Sequence, residues 1–478
     1  MSDKASEFAA IVVGAGTAGL ACAITAAERG AKVLVIEKSA RIGGTLHISG
    51  GQMSAAGTRR QREKNIEDSP AHHFADVMRI SRNTANPMLV KLAVKEAAAT
   101  LDWLDALGFP FVADTPKILF GHESYSRPRT VWGIENGVSI FKTLEPLWKK
   151  FAASEQITFL PEHTLIDLIE ENSQIVGVWV RNKLEEKQYF APHTILTTGG
   201  YASNSALFAR VTPGNPRLIS TADANARADG IALAIKHGAQ FWNGEKHLGT
   251  LGGIETEPGS GRASWDGAWA NVLTSVYRLP REIYINAEGQ RFMAEDEPSP
   301  DVRERIVWRQ PEQKFWIVFD SLALEQMRTE KAFLLRNCDY EYLISQIERE
   351  KFVWRAPTLK SLAEKIKVKA ENLEQTVKEF NNSVDRQVDA EFNRKHLENS
   401  VSAAPFYALL THATSLISFG GLAVNDKLQI LDQQNNLING LFAAGEAIGA
   451  GATSGNSFCS GMVITPALSF GRIIGRSI

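Results

Sequence analysis

Cysteine is scarce in this chain. Three occur in 478 residues, Cys22, Cys338 and Cys459, at no motif spacing, which excludes a disulfide framework and a zinc or iron–sulfur site; a CxxCH haem attachment is absent as well. Net charge is also small, −2 from 52 basic and 54 acidic side chains, so nothing predicts nucleic acid or an anionic membrane as a partner. One uncharged run, residues 8–27, has the length of a membrane span. Three glycines interrupt it, however, and Asp3, Lys4 and Glu7 do not form a positive flank. The expectation is no membrane insertion and, from cysteine usage, a cytoplasmic compartment. With 44% apolar and 22% charged residues, the composition is that of a globular protein long enough for two or more domains.

Residues 8–45 hold the strongest signal. A β-branched apolar run over 8–13 leads into Gly14-Ala15-Gly16-Thr17-Ala18-Gly19, and an alanine-rich, helix-favouring stretch follows to Arg29. Gly14 suits the tight turn, Gly16 the close approach of backbone to a pyrophosphate, and Gly19 the packing of helix on strand. A second buried strand over 33–36 ends at Glu37, placed to accept hydrogen bonds from ribose hydroxyls. The pattern predicts a nucleotide-binding βαβ unit. Beyond it, residues 43–57 form a second glycine- and hydroxyl-rich loop, needless for NAD but suited to a flavin, and FAD is therefore the expected cofactor.

Further along, residues 71–107 read as helices with a start at Asn86-Pro87, and 133–137 opens another helix. Residues 158–180 alternate like an antiparallel ribbon with Asn172-Ser173 as its turn. TILTTGG over 194–200 reads as a buried strand, and Asp229 is a candidate N-cap. From about 240 the chain becomes rich in tryptophan and glycine, then in charged helices to 399. The strand over 440–444 ends in Gly445-Glu446, and a last helix starts near Met462. The division predicted is a first part of the cofactor domain at 1–239, an inserted domain at 240–400, and a second part at 401–478.

Together VVGAGTAGLACAITAAERGAKVLVIEK, IGGT, SGG, TTGG, ADG, GQRF and LFAAGEAIGAG resemble the fumarate reductase/succinate dehydrogenase flavoprotein family, which includes 3-ketosteroid dehydrogenases and tricarballylate dehydrogenase-like enzymes. The resemblance implies an α/β fold, a Rossmann-like FAD-binding domain of the glutathione reductase-like type with an inserted α+β capping domain. It implies FAD contacts at Gly14, Gly16, Ala18, Gly19, Glu37, Lys38, Gly43, Gly44, Thr45, Ser49, Gly50, Gly51, Thr198, Gly199, Asp229, Gly445, Glu446, Gly461, Met462 and Val463. Thr45 stands where one branch has a flavin-linked histidine, with His47 two positions on, so non-covalent FAD is expected.

The catalytic positions of the family are altered. Its Thr-Glu pair and relay arginine match Thr274, Ser275 and Arg278; its acid-catalyst arginine falls at Ser299. A substrate-binding histidine matches Ile417 and a substrate-binding arginine matches Ser457, while His247 is placed like a further family histidine. A dicarboxylate needs cations at both ends, so a neutral or singly charged carbonyl or carboxylate substrate is expected. By resemblance to ketosteroid dehydrogenases, Gly461 N–H offers half of an oxyanion hole. Tyr277, Tyr284 and Tyr125 are candidate bases, with Arg278 able to lower a tyrosine pKa. Arg127 and Arg129 are candidates for a carboxylate tail or for salt bridges. The leading expectation is an FAD-dependent dehydrogenase that removes an α-proton beside a carbonyl and passes hydride to the flavin. The alternatives are a reductase of an activated alkene and a non-catalytic electron-transfer subunit. No second GxGxxG is present, which points to a separate electron donor or acceptor.

Overall fold

The protein is described by a computed structural model covering residues 7–214, 216–263, 278–331, 340–349 and 352–478. It divides into two compact units, one made of Met1–Pro213, Ala222–His247 and Ile417–Ile478, the other of Gly214–Thr221 and Leu248–Leu416. The divisions differ from 240 and 400 for a reason of strand pairing. Phe241–Trp242 pairs with Gly421–Leu422 inside the first unit, and Phe406–Thr414 pairs with Lys314–Asp320 inside the second.

The first unit is built on a nine-stranded sheet. Five strands run parallel, in the order Ile157–Leu160, Val33–Ile36, Ala10–Val13, Thr194–Leu196 and Leu437–Ala443. The strands Ala10–Val13, Val33–Ile36 and Thr194–Leu196 are buried along their whole length, which is why they read as unbroken apolar runs rather than as alternation. Thr164–Glu171, Gln174–Arg181 and Glu186–Phe190 form the antiparallel ribbon. Asn172 and Ser173 both take positive φ at its turn, the backbone of a two-residue hairpin loop. The helix Thr17–Glu28 lies against the last helix, Ile464–Ser477, and the contact depends on glycine: a Cβ on Gly471 would stand 2.3 Å from Ala18 O, and one on Gly475 2.5 Å from Cys22 O. Cys22 is buried there, its thiol pushed up to about 12 by burial, so it is inert filler.

The second unit has a five-stranded antiparallel sheet of Thr250–Gly253, Phe406–Thr414, Lys314–Asp320, Ile283–Ile285 and Val353–Ala356. Both of its faces are buried. Phe315, Ile317, Phe319, Tyr284 and Leu409 face the helices Pro300–Trp308, Ser321–Glu330 and Tyr340–Arg349. Trp316, Val318, Ile283, Ile285 and Ala408 face Leu359–Ile366 and Ala370–Arg386. The alternation of side chains along each strand thus serves two apolar layers at once. Among the described residues no helix is long and apolar enough to cross a membrane.

Candidate active site

In the first unit a cleft opens at the carboxyl ends of the parallel strands, the position expected for a ligand of an open α/β sheet. Its glycines divide by task. Gly14 has φ +100°, and a Cβ on it would stand 2.4 Å from Thr197 O; one on Gly19 would stand 1.9 Å from Gly14 O. These two shape the loop. At Gly16 and Gly199 a Cβ would meet nothing within 4 Å, and both line the cleft with Ala18, Gly44, Thr45, Gly445 and Val463. Gly43 and Gly51 belong to the packing class, against His47 and the Asn136–Gly137 backbone, while Gly50 is open. Ser49 Oγ accepts Gly51 N–H at 3.3 Å.

The acids and hydroxyls are held in place. Glu37 Oε2 accepts Ala15 N–H at 2.8 Å and Oε1 accepts Ser39 N–H at 2.8 Å, so the carboxylate is aimed and each oxygen keeps a lone pair for a ligand. Lys38 Nζ reaches Asp229 Oδ2 at 2.6 Å and Asn225 O at 2.7 Å. Asp229 is not the N-cap; Ala228, in the left-handed region, holds that position and Asp229 begins the helix Asp229–Lys236. Glu446 Oε1 accepts Ser418 N–H at 2.8 Å, and burial raises its pKa. Thr198 Oγ1 is buried in the cleft without a hydrogen-bond partner. A buried hydroxyl is normally paired, so this atom is matched to a polar ligand. Cβ-free backbone at Gly16 and Gly199, the aimed acid Glu37 and the orphaned Thr198 hydroxyl fit the adenosine and pyrophosphate parts of FAD. Sequence reasoning missed Thr197, Arg41, Ser39 and His163 in the same lining. Thr197 had a signal, since its hydroxyl ties the TTGG strand end to Val13 O and Gly14 O at 3.0 and 2.7 Å.

At the far glycine loop Gly461 has φ +74°, and a Cβ on it would stand 2.4 Å from Ser54 N. Met462 N–H donates to Cys459 O at 3.0 Å, and Thr453 Oγ1 donates to Met462 O at 2.7 Å. Tyr125 Oη donates to Ser460 O at 2.6 Å, and Ser54 Oγ donates to the same carbonyl at 2.7 Å. Tyr125, a candidate base by sequence, is here a hydrogen-bond donor to a backbone carbonyl. Its proton is committed to a carbonyl, and burial holds its pKa well above the usual phenol range; its work is to position the Ser460–Gly461 turn. His247 is a second correction. It lies between Phe208 and Phe419, with centroids at 4.7 and 5.4 Å, and burial drives its pKa to about 3, so it is a neutral core histidine. Arg129 pairs with Asp68 and Asp76, and Arg127 Nη1 donates to Glu67 O at 2.5 Å; both are tied into the protein rather than presented to a substrate tail. Ser457 Oγ donates to Ile80 O at 2.9 Å.

The remaining candidates belong to the second unit. Tyr277, with Thr274 and Ser275, lies outside the described residues. Arg278 forms a bidentate pair with the buried Glu282. Tyr284 is buried, its ring tilted on Phe315 at 5.2 Å, and burial raises its pKa to about 12. The nearby Arg303 and Arg278 pull the other way without reversing this.

A family model described as FAD binding domain matches residues 9–463. A probable fumarate reductase, Ifc3, of Shewanella frigidimarina is 28% identical over 469 residues, which span 97% of this chain and 74% of that protein. A urocanate reductase of Eggerthella lenta is 28% identical over 473 residues, spanning 98% and 74%. A solved 3-ketosteroid Δ1-dehydrogenase of Sterolibacterium denitrificans, in complex with 1,4-androstadiene-3,17-dione, has a TM-score of 0.75 at 18% identity and covers 98% of this chain and 99% of that one. With residues 9–463 matched and the cleft built as it is, the chain belongs to the FAD binding domain family, is an FAD-dependent oxidoreductase, and resembles the fumarate reductase and 3-ketosteroid dehydrogenase flavoproteins.

Proposed function

We propose that the protein reduces an activated alkene carrying one carbonyl or carboxylate group, with non-covalent FAD and a separate electron donor. The observation that carries this reading is that the two described candidate tyrosines, Tyr125 and Tyr284, are buried, Tyr125 as a hydrogen-bond donor. Of the candidate bases, Tyr277 lies outside the described residues, Tyr125 Oη donates to Ser460 O, and burial raises the pKa of Tyr284 to about 12, which favours proton donation over α-proton removal at the two that are described. The sequence relatives described above are named as reductases of fumarate and urocanate, which agrees. Bound FAD supplies hydride chemistry. The chain's own contribution is to hold the cofactor on Gly16, Gly199, Glu37 and Glu446 and to position Gly461 N–H through Ser460, Ser54 and Tyr125. With Ile417 and Ser457 where the family has substrate-binding charges, a monocarboxylate or enone suits the site better than a dicarboxylate.

The test is anaerobic reoxidation of the chemically reduced flavoprotein by unsaturated monocarboxylates, enones and fumarate. Rapid reoxidation by the first two, and slower by fumarate, is expected. If saturated ketones bleach the oxidised flavin while no alkene reoxidises it, the dehydrogenase reading takes its place. That second reading draws on the Gly461 turn, which matches the oxyanion position of ketosteroid dehydrogenases.

A further inference from the structure

Among the described residues four arginines are buried, and three of them are matched by neighbours. Arg129 meets Asp68 through Nε and Nη2 at 2.9 and 3.0 Å and Asp76 through Nη1 at 2.9 Å. Arg394 donates to His396 O, Glu282 O and Pro280 O, each at 2.7 Å, and to Glu295 Oε2 at 3.0 Å. Arg291, the arginine of GQRF, pairs with Glu295 and Asp389 at 2.9 Å. Arg303 differs. It has no exposed surface, its single hydrogen bond is a long one of 3.4 Å to Tyr284 Oη, and its Nε and Nη1 have no acceptor among the described residues.

Among the described residues no carboxylate forms an ion pair with it. Asp301 is engaged by Arg305 at 2.8 Å, and burial raises the pKa of Glu304. Glu282 is taken by Arg278. A buried charge without a counter-charge is strongly disfavoured, so guanidinium nitrogens without an acceptor among the described residues mark a place for one. The helix Pro300–Trp308 explains the position. Ser299 caps it, its Oγ accepting Val302 N–H, and Arg303 stands four residues on, about one turn along the same face. The cation missing at Ser299 is present one turn later.

We infer that Arg303, with the Tyr284 hydroxyl beside it, is an anion-accepting site of the second unit that takes a single carboxylate group. One guanidinium balances one charge. A phosphate, carrying about −1.5 to −2, would leave an excess charge beside the apolar cluster to which Tyr284, Phe315, Val307 and Leu251 belong. Tyr284 contributes an O–H donor, since Arg303 uses only its lone pair. The site stands on the second unit alone and holds whether or not the alkene reductase reading does. The carboxylate could be that of the substrate or a free small acid; the chemistry is the same.

The experiment follows thermal unfolding of the full-length holoprotein in sodium acetate and sodium propionate, with sodium chloride at equal ionic strength as the control, for the parent, Arg303→Met and Arg303→Lys. The parent should gain Tm saturably with carboxylate and not with chloride. Arg303→Met should unfold at or above the parent's Tm in chloride, because an unbalanced charge is gone, and should lose the carboxylate response; Arg303→Lys should keep part of it. Carboxylate stabilising Arg303→Met as much as the parent would overturn the inference, as would both variants unfolding well below the parent in chloride. If Arg303→Met does not fold, the parent's saturable response and its weakening in Arg303→Lys decide alone, and a parent that responds equally to chloride overturns it. A kinetic arm assigns the source. Where an unsaturated acid is turned over, at least a tenfold rise in KM for the acid in Arg303→Met, with its primary amide unaffected, assigns the site to substrate; equal KM values assign it to a free acid.

Discussion

Gly16 offers the sharpest test of the cofactor cleft, because its neighbourhood is empty where that of Gly19 is full. Gly16 has φ −78° and ψ −164°, a conformation any residue adopts, and a Cβ there meets nothing within 4 Å. Gly16→Ala should therefore leave the apoprotein folded. The loss of a favourable N-cap glycine, about 1 kcal/mol, is set against a gain of roughly 0.4–1 kcal/mol from a stiffer unfolded chain. The flavin should suffer instead. A methyl group in the space for the pyrophosphate pushes it off one backbone N–H, a charge-assisted bond contributing about 1.5–3 kcal/mol, which corresponds to a Kd roughly 10- to 150-fold weaker. Gly19→Ala is the contrast: its methyl would sit 1.9 Å from Gly14 O, so both apo stability and FAD binding should fall. Apoprotein of each variant is titrated with FAD by flavin fluorescence, and its unfolding is followed separately. Should Gly16→Ala bind FAD as the parent does, or lose apo stability as Gly19→Ala does, the assignment of this cleft is refuted.

Tyr125→Phe removes one of the two donors to Ser460 O and should cost about 1 kcal/mol of stability, with FAD content unchanged and alkene turnover reduced as the Gly461 turn loosens; unchanged turnover would separate the turn from the chemistry. His73 is fully buried with neither ring nitrogen bonded, and its pKa is driven to about 3, first by burial and then by Arg129. The unfolded chain therefore binds a proton the native state refuses, so this contribution is intact above about pH 6.5 and is lost as pH falls toward 3, by up to roughly 1.4 kcal/mol per pH unit. Denaturant unfolding of His73→Leu across that window should show a shallower acid dependence than the parent, Asp76 being common to both; identical slopes would refute it.

The cofactor half was legible because its determinants are local. The βαβ unit announces itself through the order strand, glycines, helix, strand, acid, and the Asn172-Ser173 turn through two residues that tolerate positive φ. Much of the second unit was not legible. Lys314–Asp320, with the sequence KFWIVFD, has no polar face to alternate because both of its sides are buried. Val353–Ala356 is four residues between helices, and a charge-rich surrounding read as helix throughout. Asp229 reads as a possible cap as well as a cofactor contact, because Ala228, an unusual residue for the left-handed region, carries no capping signal. Tyr125 stands out by residue type and His247 by its place in the family pattern, and only burial and partners show that one donates to Ser460 O and the other packs between Phe208 and Phe419.

A glycine that serves a cofactor is defined by what it lacks, so the letter in the sequence is already most of the evidence. A charge that serves a substrate is defined by what surrounds it, and there the letter says little: Arg129, Arg291, Arg394 and Arg303 are alike in sequence and buried alike, yet three are neutralised by the protein and one is not. Matching motif positions placed the lost cation at Ser299, because a motif counts residues along the chain. A helix presents residues by turn, so Arg303 can offer on the same face what Ser299 does not. Unpaired buried charge thus points to a candidate anion site that aligned position does not, since the free energy of leaving a charge unpaired does not depend on which turn supplies it.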